Sequence, residues 1–361
     1  MLNFTVGPVQ MDEATRKIGA EHIPYFRTSE FSEVMEENER LLCTFFDAPA
    51  GSRAVFMTGS GTASMEGGML NFFTPQDKVL VVNGGSFGQR FAELCGIHRI
   101  PFTEIKVEFG RPLAPEILAP YENRGFTGFL VQLCETSSGV LFDMNMIGEF
   151  CKRNGMFLFV DAVSGFMADD FSMKKMYVNA AITGSQKALA LPPGMSFTVL
   201  DEEAQKRCAA SKVRSMYFNY ADCLENGGRG QTPFTPAVGT LLQLNEKLNR
   251  IEKSGGIKKQ NEIIRERAEY FRKKIETLPF EMVVDRKNAS NCVTALRPKN
   301  PAVNAHRIFE ILKDEYGIWI CPNGGEYAEK VFRVGHIGNL SEAEIDRLIE
   351  AFEDLKKREL L

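Results

Sequence analysis

Residues 157–166, FLFVDAVSGF, followed by residues 178–194, VNAAITGSQKALALPPG, form the stretch that decides the fold. Met156, Phe157, Leu158, Phe159 and Val160 make an apolar run short enough for a strand buried on both faces. Asp161 stands where that strand ends. A second apolar stretch, Ala180-Ala181-Ile182-Thr183, leads into Gly184-Ser185-Gln186-Lys187 and then Pro192-Pro193-Gly194. An Asp at one strand end and a Lys after the next can face each other across a crevice. Ligands of open α/β sheets bind in that crevice, beyond the carboxyl ends of the strands.

Such a pair suits pyridoxal phosphate. A lysine forms a Schiff base with the aldehyde, and an aspartate keeps the pyridine nitrogen protonated so that the ring accepts electrons. Each residue also has a plainer use: a Lys after a strand is commonly a solvated charge, and an Asp at a strand end often caps a helix. Their companions decide between the two.

Upstream, the strand Ala54-Val55-Phe56-Met57 runs into GSGTASME (59–66) and a helix expected from about 62 to 73. Strand, glycine-rich turn and helix offer free backbone N–H groups and a positive dipole end to a phosphate, with Ser60 and Thr62 as added hydroxyl donors. A dinucleotide fingerprint would need an acid at the end of the second strand. Here Asp77 precedes the strand 79–82, so the loop reads as a site for a single phosphate.

NGGSFGQRFAELCG (83–96) is a strand end, a turn and a helix beginning near Phe87, whose ring can stack on a flat ligand or simply cover the core. Strands are expected over 99–109 and 127–134, the second ending in ETSSGV (135–140). Its hydroxyls can face a polar cofactor or bond their own backbone. A helix over 144–154 leads into the opening stretch, and a strand over 196–200 closes the series.

Outside this block, a helix is expected from Ser29, its N-cap, to Phe46, with Arg27 just before it as a surface charge or an anion contact. GGRGQTPFTP (227–236) suits a loop reaching a neighbour. A long helical pattern from Ala237 towards Leu278 breaks at Ser254-Gly255-Gly256. Strands at 292–296 and 331–334 with helices at 302–316 and 341–357 make a small α+β unit. The expected domains are residues 1–253, including the N-terminal segment, and residues 254–361.

With 361 residues, 44% apolar and 25% charged, the chain has the composition of a globular protein. A net charge of -4 argues against nucleic acid or an anionic membrane as partner. Eight scattered cysteines without metal-ligand spacing fit a reducing cytoplasm. No signal segment and no run of membrane-spanning length is present, so a cytoplasmic location is expected.

Taken together, GSGTASME, ETSSGV, VDAVSGF and GSQKAL resemble class V aminotransferases of the fold type I pyridoxal phosphate family. The likeness is strongest to the branch of alanine–glyoxylate, serine–pyruvate and 2-aminoethylphosphonate–pyruvate aminotransferases. It implies an α/β fold, with a large domain around a mostly parallel seven-stranded sheet and a small C-terminal α+β domain. Lys187 then resembles the Schiff-base lysine and Asp161 the partner of the pyridine nitrogen. Phe87 falls at the ring-stacking position, Thr136 at the hydroxyl beside the ring, and Val163 against its other face. Ser60, Gly61, Thr62 and Gln186 match phosphate positions. Thr235, and less closely Thr232, matches a threonine that reaches the partner subunit's phosphate, which implies a homodimer with shared sites. Arg333, in FRVGHIG, matches the arginine that binds the substrate carboxylate through a bidentate fork. Gly7 lies where the N-terminal segment approaches the substrate, in a VGP that departs from the family's longer pattern.

The implied reaction moves an amino group from a small amino acid or aminophosphonate to a 2-oxo acid such as pyruvate or glyoxylate. The alternative is a lyase of the cysteine desulfurase type. Desulfurases commonly carry His over the ring and before the lysine, where this chain has Phe87 and Gln186; Cys321 is the one cysteine near Arg333 in sequence. A catalytically silent sensor domain would need an added DNA-binding segment or loss of the lysine, and neither is found.

Overall fold

The computed structural model describes residues 1–361. Seven strands form the main sheet: β1 (Arg53–Thr58), β2 (Val79–Asn83), β3 (Phe102–Lys106), β4 (Gly128–Gln132), β5 (Phe157–Asp161), β6 (Ala180–Gly184) and β7 (Met195–Leu200). Their order is β1-β7-β6-β5-β4-β2-β3. All pairings are parallel except those of β7, which runs antiparallel to both neighbours. Every residue of β4, β5 and β6 is buried, as their unbroken apolar runs require of strands covered on both faces. Alternation sorts the side chains: Leu80, Val82, Leu158 and Val160 enter one core, while Val79, Val81, Phe157 and Phe159 enter the other.

Helix boundaries move by a few residues at most. The helix expected from Ser29 spans Ser29–Phe45, and its cap is the preceding residue: Thr28 accepts from the Phe31 N–H. The Thr side chain serves as well as Ser at that position. The long C-terminal pattern divides into Val238–Lys253 and Gly256–Lys274. The strand expected over 99–109 shortens to Phe102–Lys106, because β3 is an edge strand with one neighbour.

A second, antiparallel sheet has the order β8 (Phe280–Met282), β9 (Val293–Pro298), β11 (Phe332–Gly335) and β10 (Cys321–Pro322). It carries its own core with the helices Ala305–Tyr316 and Glu342–Lys357. The first ten residues stitch the two cores together. Leu2–Asn3 pairs with Ile318–Trp319, Phe4 enters the C-terminal core, and Val6 and Val9 enter the large one. No helix is long and apolar enough to cross a membrane.

Candidate active site

Parallel order brings the ends of β4, β5 and β6 to one edge of the sheet, and the expected residues gather there. Beyond β6 the turn is pinned by Ser185, whose hydroxyl donates to the Pro192 carbonyl at 2.6 Å and accepts from the Met195 N–H at 3.2 Å. That turn presents Lys187. Its Nζ donates to the Val6 carbonyl at 2.9 Å. Burial, assisted by the charge of Arg333, lowers the Lys187 pKa from its ordinary value and so favours the neutral amine that nucleophilic work requires.

Gly7 lies directly on this lysine. It holds φ +137°, and an added Cβ would stand 2.7 Å from Lys187 Cδ and 2.9 Å from Nζ. Only glycine meets both demands.

Asp161 ends β5, 6% exposed, its Oδ1 accepting from the Val163 N–H at 2.9 Å. Burial, with the neighbouring Glu135 charge adding to it, pushes its pKa up to about 6. A cationic ring nitrogen placed against it would reverse that shift.

Ser60, Gly61, Thr62, Phe87, Thr136, Asp161, Val163, Gln186 and Lys187 all line one cavity of about 200 Å³, completed by Met65, Arg90 and Ser164. The helix Gly61–Phe72 opens into it with Ser60 at the N-cap and no side-chain cap bond; the Ala63 N–H donates to the Ser60 carbonyl at 2.8 Å, which leaves the N–H groups of Gly61 and Thr62 for a ligand. A Cβ on Gly61 would come within 2.8 Å of Val163 Cγ2, so the absence of a side chain lets the helix start close on that wall. Thr136 donates to Ser164 Oγ at 2.7 Å.

Three expected residues lie elsewhere. Gly7 and Arg333 are not among the residues that line the cavity; Gly7 packs on Lys187, and the charge of Arg333 acts on it. Arg333 donates to the Thr136 carbonyl at 3.2 Å and the Pro322 carbonyl at 2.7 Å, while its buried Nε has no partner. It makes no ion pair with any protein carboxylate. Thr235 is exposed and sits beside Tyr217 and Thr58, off the cavity of its own chain. Thr232 is buried, with its hydroxyl spent on the Phe234 carbonyl at 2.7 Å. Arg27 donates to the carbonyls of Thr232 at 2.9 Å and Pro233 at 3.2 Å, and so braces this loop. Cys321 stands opposite Arg333 in the small sheet.

Two residues were missed by the sequence reading. Glu135 is fully buried and accepts from the N–H groups of Phe87 at 3.2 Å, Gly88 at 3.0 Å and Ser137 at 3.2 Å. It thereby caps a helix, Ser86–Ile97, whose own N-cap is Gly85. Arg90 is the other. Both act across gaps in the chain that no local pattern reveals; the only hint for Arg90 is its place one turn after Phe87.

Pyridoxal phosphate suits these residues. A phosphate would meet the uncapped helix start and, on the same wall, the Gln186 side chain, whose amide NH2 can donate to it. The ring nitrogen would meet Asp161, and the aldehyde an amine whose neutral form burial favours. Fold and cavity together define a pyridoxal phosphate-dependent transaminase. Residues 22–348 match the family Aminotransferase class-V, and the chain belongs to that family. It is 28% identical over 354 residues to the soluble hydrogenase 42 kDa subunit of Anabaena cylindrica, covering 96% of this chain and 91% of that one. It is also 28% identical over 293 residues to the L-aspartate–glyoxylate aminotransferase of Paracoccus denitrificans, covering 79% of this chain and 73% of that one. The crystal structure of a subgroup IV aspartate aminotransferase from Thermus thermophilus superposes with a TM-score of 0.91 at 26% identity, covering all of both chains.

Proposed function

We propose that this transaminase moves an amino group from a small amino acid donor to a 2-oxo acid such as pyruvate or glyoxylate, with Lys187 carrying the cofactor. One observation carries the reading. Thr136 lines the cavity and its carbonyl accepts from Arg333, which sets a guanidinium with a free Nε and no carboxylate partner against the cavity wall.

Pyridoxal phosphate, when bound, supplies an aldehyde for the amine and a ring that withdraws electrons from the substrate α-carbon. The chain's own residues do the rest. Arg333 binds the substrate carboxylate through its fork, using the unpartnered Nε. That contact turns the α-carbon towards Lys187. Lys187 Nζ, whose neutral form burial favours, would take the proton from the substrate α-carbon and return it to the cofactor's aldehyde carbon, on the other side of the nitrogen. Asp161 would hold positive charge at the ring nitrogen, and Phe87 and Val163 are the wall residues that would hold the ring.

Arg27 is not on the cavity wall of its own chain, where it donates to loop carbonyls, so it does not decide between an amino acid and an aminophosphonate donor; the panel below does. A homodimer with shared sites belongs to the same proposal, supported by the exposed Thr235 on a braced loop away from its own cavity. So do a division into residues 1–253 and 254–361, supported by the break between helices there, and a cytoplasmic location, supported by eight free cysteines.

The test is a panel of amino donors, including 2-aminoethylphosphonate, assayed against pyruvate and glyoxylate. Alanine, serine or aspartate is expected to be used best. Release of sulfide from cysteine, with no amino transfer to either acceptor, would overturn the reading in favour of a lyase.

A further inference from the structure

We propose that Arg90 is a positioning residue that joins the ring wall of the cavity to its phosphate end and supplies the fixed positive charge there. The inference rests on the reading that Ser60, Gly61 and Thr62 receive the phosphate.

Arg90 lies three residues after Phe87 on the helix Ser86–Ile97, so both side chains leave the same face. Its guanidinium carbon is 5.0 Å from the centre of the Phe87 ring, a cation–π distance. Its Nη1 donates to Thr62 Oγ1 at 3.1 Å. One guanidinium therefore touches the stacking ring of one helix and the first turn of another. It has no carboxylate within 4 Å, and Thr62 is its one hydrogen-bond partner, so most of its five N–H donors remain free at the cavity wall.

The bond to Thr62 has a directional consequence. Because Oγ1 accepts from Arg90, the Thr62 hydroxyl hydrogen is left for another acceptor. Arg90 so fixes Thr62 as a donor towards an incoming oxyanion. A phosphate ester near neutral pH carries close to two negative charges, and the helix start offers only a partial positive one. Lys187 cannot make up the difference, since burial favours its neutral form and its amine is needed for the aldehyde. Arg90 is the remaining cation on the wall.

The experiment compares cofactor vitamers. Apo-protein of the wild type, Arg90→Met and Arg90→Lys is titrated with pyridoxal phosphate and with pyridoxal, which lacks the phosphate, by absorbance of the bound ring. Arg90→Met is expected to lose roughly 10- to 100-fold in affinity for pyridoxal phosphate, the size of a charged hydrogen bond lost. Its affinity for pyridoxal should fall far less, and Arg90→Lys should recover part of the loss. Equal losses for both vitamers would reduce Arg90 to a packing support for Phe87, and no loss for either would remove it altogether; both overturn the proposal. The pyridoxal arm also reports that the variant site is folded. If the wild type itself shows no preference for the phosphorylated form, the failure lies in the assignment of the phosphate end, a result distinct from any change at Arg90.

Discussion

The Nζ of Lys187 donates to the backbone carbonyl of Val6, 181 residues away in sequence and 2.9 Å away in space. The N-terminal segment thus holds the lysine from behind while the cavity opens in front of it. Gly7 completes the hold, since its missing side chain is what lets the backbone pass.

Gly7→Ala tests that hold. A methyl group would overlap Lys187 Cδ and Nζ, and φ +137° strains any residue with a Cβ. The variant is expected to keep its fold, because the segment is anchored on either side by Phe4 and Val9 in separate cores. Covalent attachment of the cofactor should slow at least tenfold, an order set by a displacement of about 1 Å at a reacting group. Borohydride trapping followed by peptide mapping measures it, and should place the adduct on Lys187. Normal attachment would show that the segment yields without moving the lysine.

The charge of Arg333 predicts a pH effect. Burial lowers the Lys187 pKa, and Arg333 lowers it further. The amine is active when neutral, so the rate of cofactor attachment should rise with pH along a limb centred below the ordinary lysine value. Arg333→Met removes one of the two depressing causes, so the limb should move to higher pH; Arg333→Lys keeps the charge and should leave it in place. Stability carries the matching sign. The unfolded chain holds the lysine proton over the interval between the depressed and ordinary values, so that apo-protein stability from this group rises with pH there. Asp161 works oppositely: with its folded pKa near 6 and an ordinary value of 3.8, its contribution falls as pH rises between the two. Adding cofactor should remove the Asp161 component.

Arg333→Lys separates carboxylate binding from charge. The fork that meets both carboxylate oxygens is lost while one positive charge remains. Donor and acceptor acids should each bind about 2–3 kcal/mol more weakly, with the absorbance of bound cofactor unchanged. Unaltered KM for every acid would move the substrate anchor elsewhere.

Much of this was readable before any coordinates. The apolar runs ending at Gln132, Asp161 and Gly184 are each a buried parallel strand, and parallel strands must deliver their ends to one edge. Lys187 and Asp161 could therefore be paired from spacing alone. Glu135 could not. It looked like the start of a turn, whereas its carboxylate caps the helix that begins 49 residues earlier at Ser86, a contact set by which strands are neighbours. The service of Arg27 to its loop was hidden for the same reason: its partners are backbone carbonyls, which leave no trace in residue type.

Glu135→Ala should show what that cap contributes. Three N–H groups, on Phe87, Gly88 and Ser137, lose their acceptor in a site closed to water. A loss of about 2–4 kcal/mol in unfolding free energy is expected, read from urea denaturation. Phe87 lies in the first turn of that helix, so pyridoxal affinity should fall as well. Glu135→Gln should lie between, since its amide oxygen still accepts. If Glu135→Ala were as stable as the wild type, water must reach the helix start.

Subunit mixing tests the shared site most sharply. If Thr235 serves the phosphate of a second copy, each site takes its lysine from one chain and its threonine from the other. Thr235→Glu then places a carboxylate against the phosphate and should weaken cofactor binding through like-charge repulsion. Lys187→Ala removes the amine. Each homodimer has two defective sites. A hybrid of the two chains contains one site with both defects and one with neither, so chains unfolded and refolded together should regain up to about a quarter of wild-type sites, given random pairing into twofold dimers. Chains mixed without refolding should regain less if exchange is slow. No gain after verified exchange would mean that Thr235 acts within its own chain or not at all, and the exposed loop would then need another partner.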